Sequence, residues 1–214
     1  MFVYFPSCNF KRLFPETAKK IRAWMETQPD VTVAGCCKVT TALPQPGDTI
    51  VTVCLSCAHL LEEMRPDVPQ ISLYEFLLTR EDFPWPDLSG ETFVLQDCFR
   101  ARGMHALHDA VRACLTRCGA GIAELPANRD EADFDGAFLL HPPYPLNVKL
   151  APKYFGEYLP AHLTVLPEEE WPEHLRRYAQ ALPPGKTAAY CNTCVAGLRQ
   201  GGAEAYHLAE LLFG

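Results

Sequence analysis

Thr49-Ile-Val-Thr-Val-Cys54-Leu-Ser-Cys57 is the stretch that decides the fold of this chain. Five β-branched residues in a row read as a strand, the run stops at a cysteine, and Cys57 to Met64 then reads as a helix until Pro66 stops it. A strand that passes directly into a helix is half of a βαβ unit. Working outward toward the N-terminus, Phe2 to Phe5 is an apolar strand followed by a turn that carries Cys8. Pro15 to Gln28 is a helix candidate with Ala18, Ile21, Ala23, Trp24 and Met25 as its stripe, and Val31 to Ala34 is a strand that delivers Gly35-Cys36-Cys37. Thr41 to Asp48 is rich in Pro and Gly and predicts a loop, and the apolar residues of Ile71 to Leu78 close the unit.

The pattern restarts at Thr92. Phe93-Val-Leu is a strand that ends at Asp97-Cys98, Met104 to Cys118 is a helix that Gly119 can cap, and Ile122 to Leu125 is a short strand. Thr187 to Tyr190 leads into Cys191, Cys194 to Gln200 begins a helix, and Ala205 to Phe213 ends the second half much as Tyr74 to Leu78 ends the first. Glu75 follows Cys54 by 21 residues and Glu210 follows Cys191 by 19, so the chain carries an internal duplication. The expected fold class is α/β: two tandem Rossmann-like βαβ halves with parallel strands, residues 1–83 and 84–214, divided at Pro84-Trp85-Pro86. In open parallel sheets ligands collect at the carboxyl ends of strands, which is where Cys36, Cys54, Cys98 and Cys191 fall.

Composition narrows the function. With 214 residues, 48% apolar, the chain can build a sizeable core without disulfide staples. A formal charge of −7, with no basic run longer than pairs such as Lys11-Arg12 and Arg176-Arg177, leaves nothing to track a phosphate backbone, so nucleic acid and anionic membrane are discounted. Met1 to Phe5 meets Pro6 at once and has no basic region ahead of it, which reads as a first strand and not as a signal peptide. No stretch approaches the roughly 20 apolar residues of a membrane span. The expected location is therefore cytoplasmic, where thiols stay reduced and free for metal or catalysis. Five thiols in the order Cys8, Cys36-Cys37, Cys54, Cys57 suit an iron-sulfur cluster better than a lone zinc, because an adjacent pair wraps a single ion poorly.

This order, followed by Cys98 and Cys191-Asn-Thr-Cys194, resembles the duplicated cysteine-rich CCG domain of the heterodisulfide reductases, a domain that also occurs in the iron-sulfur subunits of glycolate, lactate and glycerol-3-phosphate oxidation systems. The resemblance implies an α/β unit in each half and a [4Fe-4S] cluster, non-cubane where a motif is complete, held here by Cys8, Cys36, Cys37, Cys54 and Cys57. It further implies exchange of electrons with a disulfide substrate, or their relay to a partner subunit that carries flavin or ferredoxin-type clusters. The chain itself has neither a ferredoxin cysteine run nor a Gly-x-Gly-x-x-Gly. Two features depart from the family: 16 residues separate Cys37 from Cys54, and Lys38 stands where Gly is usual. In the second motif Phe134 and Asp135 of Asp133-Phe-Asp-Gly136 replace the cysteine pair, which leaves Cys98, Cys191 and Cys194, with Asp135 as fourth ligand, for zinc or a cubane cluster; the site could also be vestigial. A protein of a different class, a zinc-binding structural or assembly protein on the same scaffold without redox turnover, remains the alternative.

The other chemistry-bearing residues each carry two readings. Cys114 and Cys118, four apart on a helix, either join a metal site or serve as small core residues. His105 and His108 either supply a proton to a product thiolate or lie on a helix surface, and Arg100 and Arg102 either bind an anionic substrate or are solvated. His59 follows Cys57 closely, with nothing in the sequence to orient it. Phe138 to Pro183 is a Pro-interrupted expansion in which Glu168 to Leu182 reads as an exposed amphipathic helix with Trp171, Leu175 and Tyr178 on one side, fit to dock a redox partner or to cover a sheet edge.

Overall fold

A computed structural model describes residues 1–39 and 44–214. The protein is α/β, with two four-stranded, all-parallel sheets in the orders β2-β1-β3-β4 and β6-β5-β7-β8. The strands of the first sheet are β1 (Phe2–Phe5), β2 (Val31–Val33), β3 (Thr49–Thr52) and β4 (Gln70–Ser72). Between them run α1 (Cys8–Leu13), α2 (Pro15–Thr27) and α3 (Leu55–Met64), and α4 (Leu73–Leu78) follows β4 directly. Pro15 at the first position starts α2, whose Ala18, Ile21 and Met25 are buried against the sheet. Strand β3 lies between β1 and β4, with Tyr4 opposite Val51, and its Ile50, Val51 and Thr52 are all buried. A parallel strand covered on both faces has no polar side to show, which is why it reads as an unbroken apolar run. The expected loop over Thr41 to Asp48 lies outside the described residues at 41–43.

The second sheet repeats the scheme with β5 (Thr92–Gln96), β6 (Gly121–Glu124), β7 (Lys186–Ala189) and β8 (Ala205–His207). Helix α5 (His105–Arg117) links β5 to β6, and the amide nitrogens of Gly119 and Ala120 close its end on the carbonyls of Thr116 and Leu115. Residues Pro145–Leu150 form α6, Trp171–Ala181 α7, Asn192–Gln200 α8 and Leu208–Phe213 α9. In each sheet the first strand pairs with the second on one side and the third on the other. The order therefore reverses between β1 and β3 and between β5 and β7, and such switch points open a crevice at the carboxyl ends of the two strands.

Two compact units are present: Met1–Phe76 with Pro143–His162, and Leu77–Pro142 with Leu163–Gly214. The segment Pro143–His162, from the Pro-interrupted expansion, thus belongs to the first unit. There a π-helical turn, Pro152–Tyr158, is held by the Glu63 carboxylate, which accepts from the backbone nitrogens of Lys153 and Tyr154 at 3.0 and 2.7 Å. In the second unit α7 is a cover: Leu175 is fully buried, the Tyr178 ring stacks on Phe134 with centroids 3.8 Å apart, and the Tyr178 hydroxyl donates to Gln96. The repeated glutamates have a structural cause. Glu75 accepts from the Ser72 nitrogen while Ser72 Oγ accepts from the Glu75 nitrogen, and Glu210 and His207 cap α9 in the same reciprocal way.

Candidate metal centre

Cys98, Asp135, Cys191 and Cys194 of the second unit place one ligand atom each within 4.8 Å of all the others, and all four residues are buried. They form a buried group that could hold a metal ion, and among the described residues it is the one group of three or more such side chains drawn this close. Cys98 leaves β5 one residue after Asp97, and Cys191 leaves β7 one residue after Tyr190, so both stand at the switch point. Cys191 is the N-cap of α8 and Cys194 its third residue, so both sulfurs lie at the end of a helix whose free N–H groups favour negative charge. Asp135 arrives from the loop after β6, and a glycine pair lets it in. Gly136 has φ +54, and a Cβ on Gly197 of α8 would stand 2.6 Å from the Gly136 Cα. Backbone therefore meets backbone, and Asp135 reaches the helix end.

The electrostatics of this group point to a cation. Asp135 Oδ1 lies 3.3 Å from Cys98 Sγ, 3.1 Å from Cys191 Sγ, 3.6 Å from Cys194 Sγ, 2.6 Å from Thr193 Oγ1 and 3.2 Å from Arg100 Nη2. Five donors crowd one oxygen that has about two lone pairs, so three protonated thiols cannot all be satisfied by it. A tetrahedral zinc at about 2.3 Å from sulfur and 2.0–2.2 Å from oxygen would set sulfur and oxygen roughly 3.6 Å apart, close to these spacings. Burial pushes the Asp135 carboxyl up to about 7 against the opposing charge of Arg100, with Cys191 adding to the rise. Burial also holds Cys98 and Cys194 well above the ordinary thiol range. For Cys191 burial acts upward too, but hydrogen bonds from Cys194 and Cys98, the Arg100 charge and Thr193 outweigh it and hold the thiol well below its usual value. Cys191 is thus the thiol of the group most inclined to ionise, and a metal that took all four ligands would release protons.

Beneath it lies a second charged layer. Asp97 accepts from Arg112 at 2.7 Å, from the Arg129 backbone nitrogen at 2.8 Å and from the Tyr190 hydroxyl at 3.0 Å. Arg112 also bridges to Glu124.

In the first unit the Cys37 and Cys57 sulfurs stand 3.3 Å apart. Cys8 and Cys36 interact electrostatically, as do Cys36 and Cys37, and Cys57 and Cys54. Cys54 caps α3 and Cys57 is its third residue, the same placement as Cys191 and Cys194 on α8. The helix opens two residues earlier than its sequence indicates, and its first backbone hydrogen bond runs from the Ala58 nitrogen to the Cys54 carbonyl at 3.0 Å. The hydrogen bond between Cys37 and Cys57 holds the Cys37 thiol below its usual range and raises Cys57 well above it. Cys37, Cys54 and Cys57 are buried, Cys36 is half-buried and Cys8 is exposed. Ser7, directly before Cys8, has φ 54, a conformation that costs a non-glycine residue about 1–3 kcal/mol and that clusters at functional sites. Its Oγ accepts from the Phe10 nitrogen at 3.3 Å and so starts α1. Tyr4 is fully buried with no hydrogen-bond partner for its hydroxyl among the described residues, and burial, then Cys57 and Cys54, push its phenol far above the ordinary value. An orphan donor beside sulfurs is suited to a site that carries negative charge.

Several side chains take positions that the sequence did not give. Arg100 is neither solvated nor free for an anionic substrate: it is 3% exposed and ion-paired to Asp135. His108 is fully buried, while His105 is exposed and contacts Asp130 at 2.7 Å. Arg102 lies over the Phe99 ring and donates to the Ala132 carbonyl. His59 is oriented by stacking on Tyr154, with centroids 3.5 Å apart. Cys114 on α5 and Cys118 at its C-cap are buried outside the four-residue group, and burial pushes Cys118 up to about 11. Among the described residues no helix is long and apolar enough to cross a membrane. Comparison with family models, with curated proteins and with solved structures found no match for this chain.

Proposed function

We propose that the chain is an iron-sulfur redox subunit of the heterodisulfide reductase kind, with a [4Fe-4S] cluster on Cys8, Cys36, Cys37, Cys54 and Cys57 and a structural zinc on Cys98, Asp135, Cys191 and Cys194. The observation that carries it is the 3.3 Å contact between the buried Cys37 and Cys57 sulfurs, with Cys54 at the N-cap of the helix that holds Cys57 and with Cys36 and exposed Cys8 electrostatically linked to them. A bound cluster supplies one-electron transfer. The residues of the first unit do the rest. Cys54 and Cys57 bring negative charge to the end of α3, where the backbone N–H groups favour it. The strained Ser7 turns Cys8 outward, so the thiol set is closed on the core side and open to a disulfide substrate or a redox partner on the other. The second unit is the opposite case, a fully buried four-ligand group, and closed sites of that kind are structural.

Anaerobic purification followed by metal and sulfide analysis tests the reading. The expected product is brown, with about four irons and one zinc per chain, and Cys37→Ser loses the visible absorption while zinc stays. The second reading, a zinc-binding structural or assembly protein without redox turnover, is favoured by the tightness of the Cys98 group and predicts a colourless protein with zinc alone.

A further inference from the structure

We propose that Arg100 is the fixed counter-ion of the second centre, the positioning residue that turns Asp135 into an oxygen ligand and so sets a three-sulfur, one-oxygen site for zinc. The proposal rests on the reading of that centre as a zinc site. Arg100 sits two residues after Cys98, in the 3-10 turn Phe99–Ala101. Its Nε pairs with Asp135 Oδ2, while its Nη2 donates to Asp135 Oδ1 at 3.2 Å, to Cys191 Sγ at 3.3 Å and to Thr193 Oγ1 at 2.8 Å. The face of the guanidinium lies 4.0 Å from the Phe138 ring centroid. A planar fork held on one edge by Asp135, Cys191 and Thr193, and on one face by an aromatic ring, has little freedom to swing aside.

Charge arithmetic explains why such a group is built in. Three thiolates and a carboxylate carry four negative charges, zinc returns two, and a buried remainder of two is costly without a further cation. Arg100 supplies it. The guanidinium pairs with Oδ2 and also touches Oδ1, and this grip holds Oδ1 facing the three sulfurs, as outer-shell partners commonly do for ligating carboxylates. A cysteine at position 135 would have one ligand atom and nothing for the fork to grip. Arginine and aspartate therefore belong together as a pair.

The test is zinc affinity of the full chain, measured by competition with a chromogenic chelator, for wild type, Arg100→Gln and Arg100→Lys, each also combined with Asp135→Cys. Arg100→Gln is expected to bind zinc about 10–100-fold more weakly. Arg100→Lys should fall between, because it keeps the charge and loses the fork. With cysteine at 135, the Gln substitution should cost less than it does beside aspartate, since the charge remainder persists while the fork–carboxylate pair no longer exists. Cobalt(II) in place of zinc gives a second readout: its visible bands should differ between wild type and Asp135→Cys, and Arg100→Gln should move them in the wild-type background alone. Unchanged or tighter zinc binding in Arg100→Gln overturns the proposal and makes the guanidinium a competitor of the ion. An equal loss in both backgrounds overturns it in favour of a merely structural arginine. A wild-type chain that binds no zinc overturns the zinc reading itself.

Discussion

His207 accepts a hydrogen bond from the Ala209 nitrogen through Nδ1 and is fully buried at the start of α9. Burial pulls it down to about 3, with Cys191 acting upward and Arg199 downward. Its unfolded value is about 6.5, so the unfolded chain takes up the proton first. The stability contributed by neutral His207 is complete above pH 6.5 and declines as the pH falls toward 3, by at most about 1.4 kcal/mol per pH unit. His207→Asn keeps an acceptor at the cap and cannot titrate. Urea unfolding of both proteins between pH 7 and 4 should therefore show a shallower slope for the variant, and equal slopes would mean that His207 is not held neutral. Residues of this kind are the ones that the sequence hides. Arg100 and His108 read as surface groups because charge and polarity predict solvent, and local pattern carries no information on a buried partner 35 residues away. The four members of the buried group were legible, Asp135 included, because the resemblance sets it where a cysteine would stand.

Among the elements, α8 has the least tolerance. It brings Cys194 and Thr193 to Asp135 only because Gly197 faces Gly136, and Leu175 of α7 closes in on the same glycine, with its Cδ2 3.2 Å from where a Cβ would be. Gly197→Ala should cost about 1–3 kcal/mol of stability, the range for forced overpacking, since backbone on the far side cannot rotate away. It should also weaken zinc binding by pushing α8 from Asp135. Thermal unfolding and zinc competition on one preparation check both effects. Strands β1, β3, β5 and β7 were visible as apolar runs that end near cysteines, because a covered parallel strand has no alternation to obscure. Ser72-Leu-Tyr-Glu75 is a capping-box pattern, and its recurrence in altered form as His207-Leu-Ala-Glu210 is what made the halves look repeated.

At the scale of the molecule the two units carry the same strand order, and they differ in access to two sulfurs of the first. Cys8 is exposed and Cys36 half-buried, whereas Cys98, Cys191 and Cys194 are buried. Brief alkylation of the native, metal-free chain should label Cys8 first and leave Cys98, Cys191 and Cys194 unmodified until denaturant is added. Peptide mass mapping gives the order, and early labelling at 191 would contradict the closed second centre. The sequence reading set Pro143–His162 within the second half, 84–214, because its prolines interrupt any periodicity while its packing with the first unit is decided by distant residues such as Glu63 and His59.

That allegiance has a consequence for biosynthesis. The first sheet is complete once Ser72 has been made, yet Tyr154, the stacking partner of His59, and the two amides that Glu63 receives lie some eighty to ninety residues downstream. A nascent chain released from the ribosome at the Pro84-Trp85-Pro86 boundary carries four strands and an unfinished flank, and a gene fragment ending there encodes less than one unit.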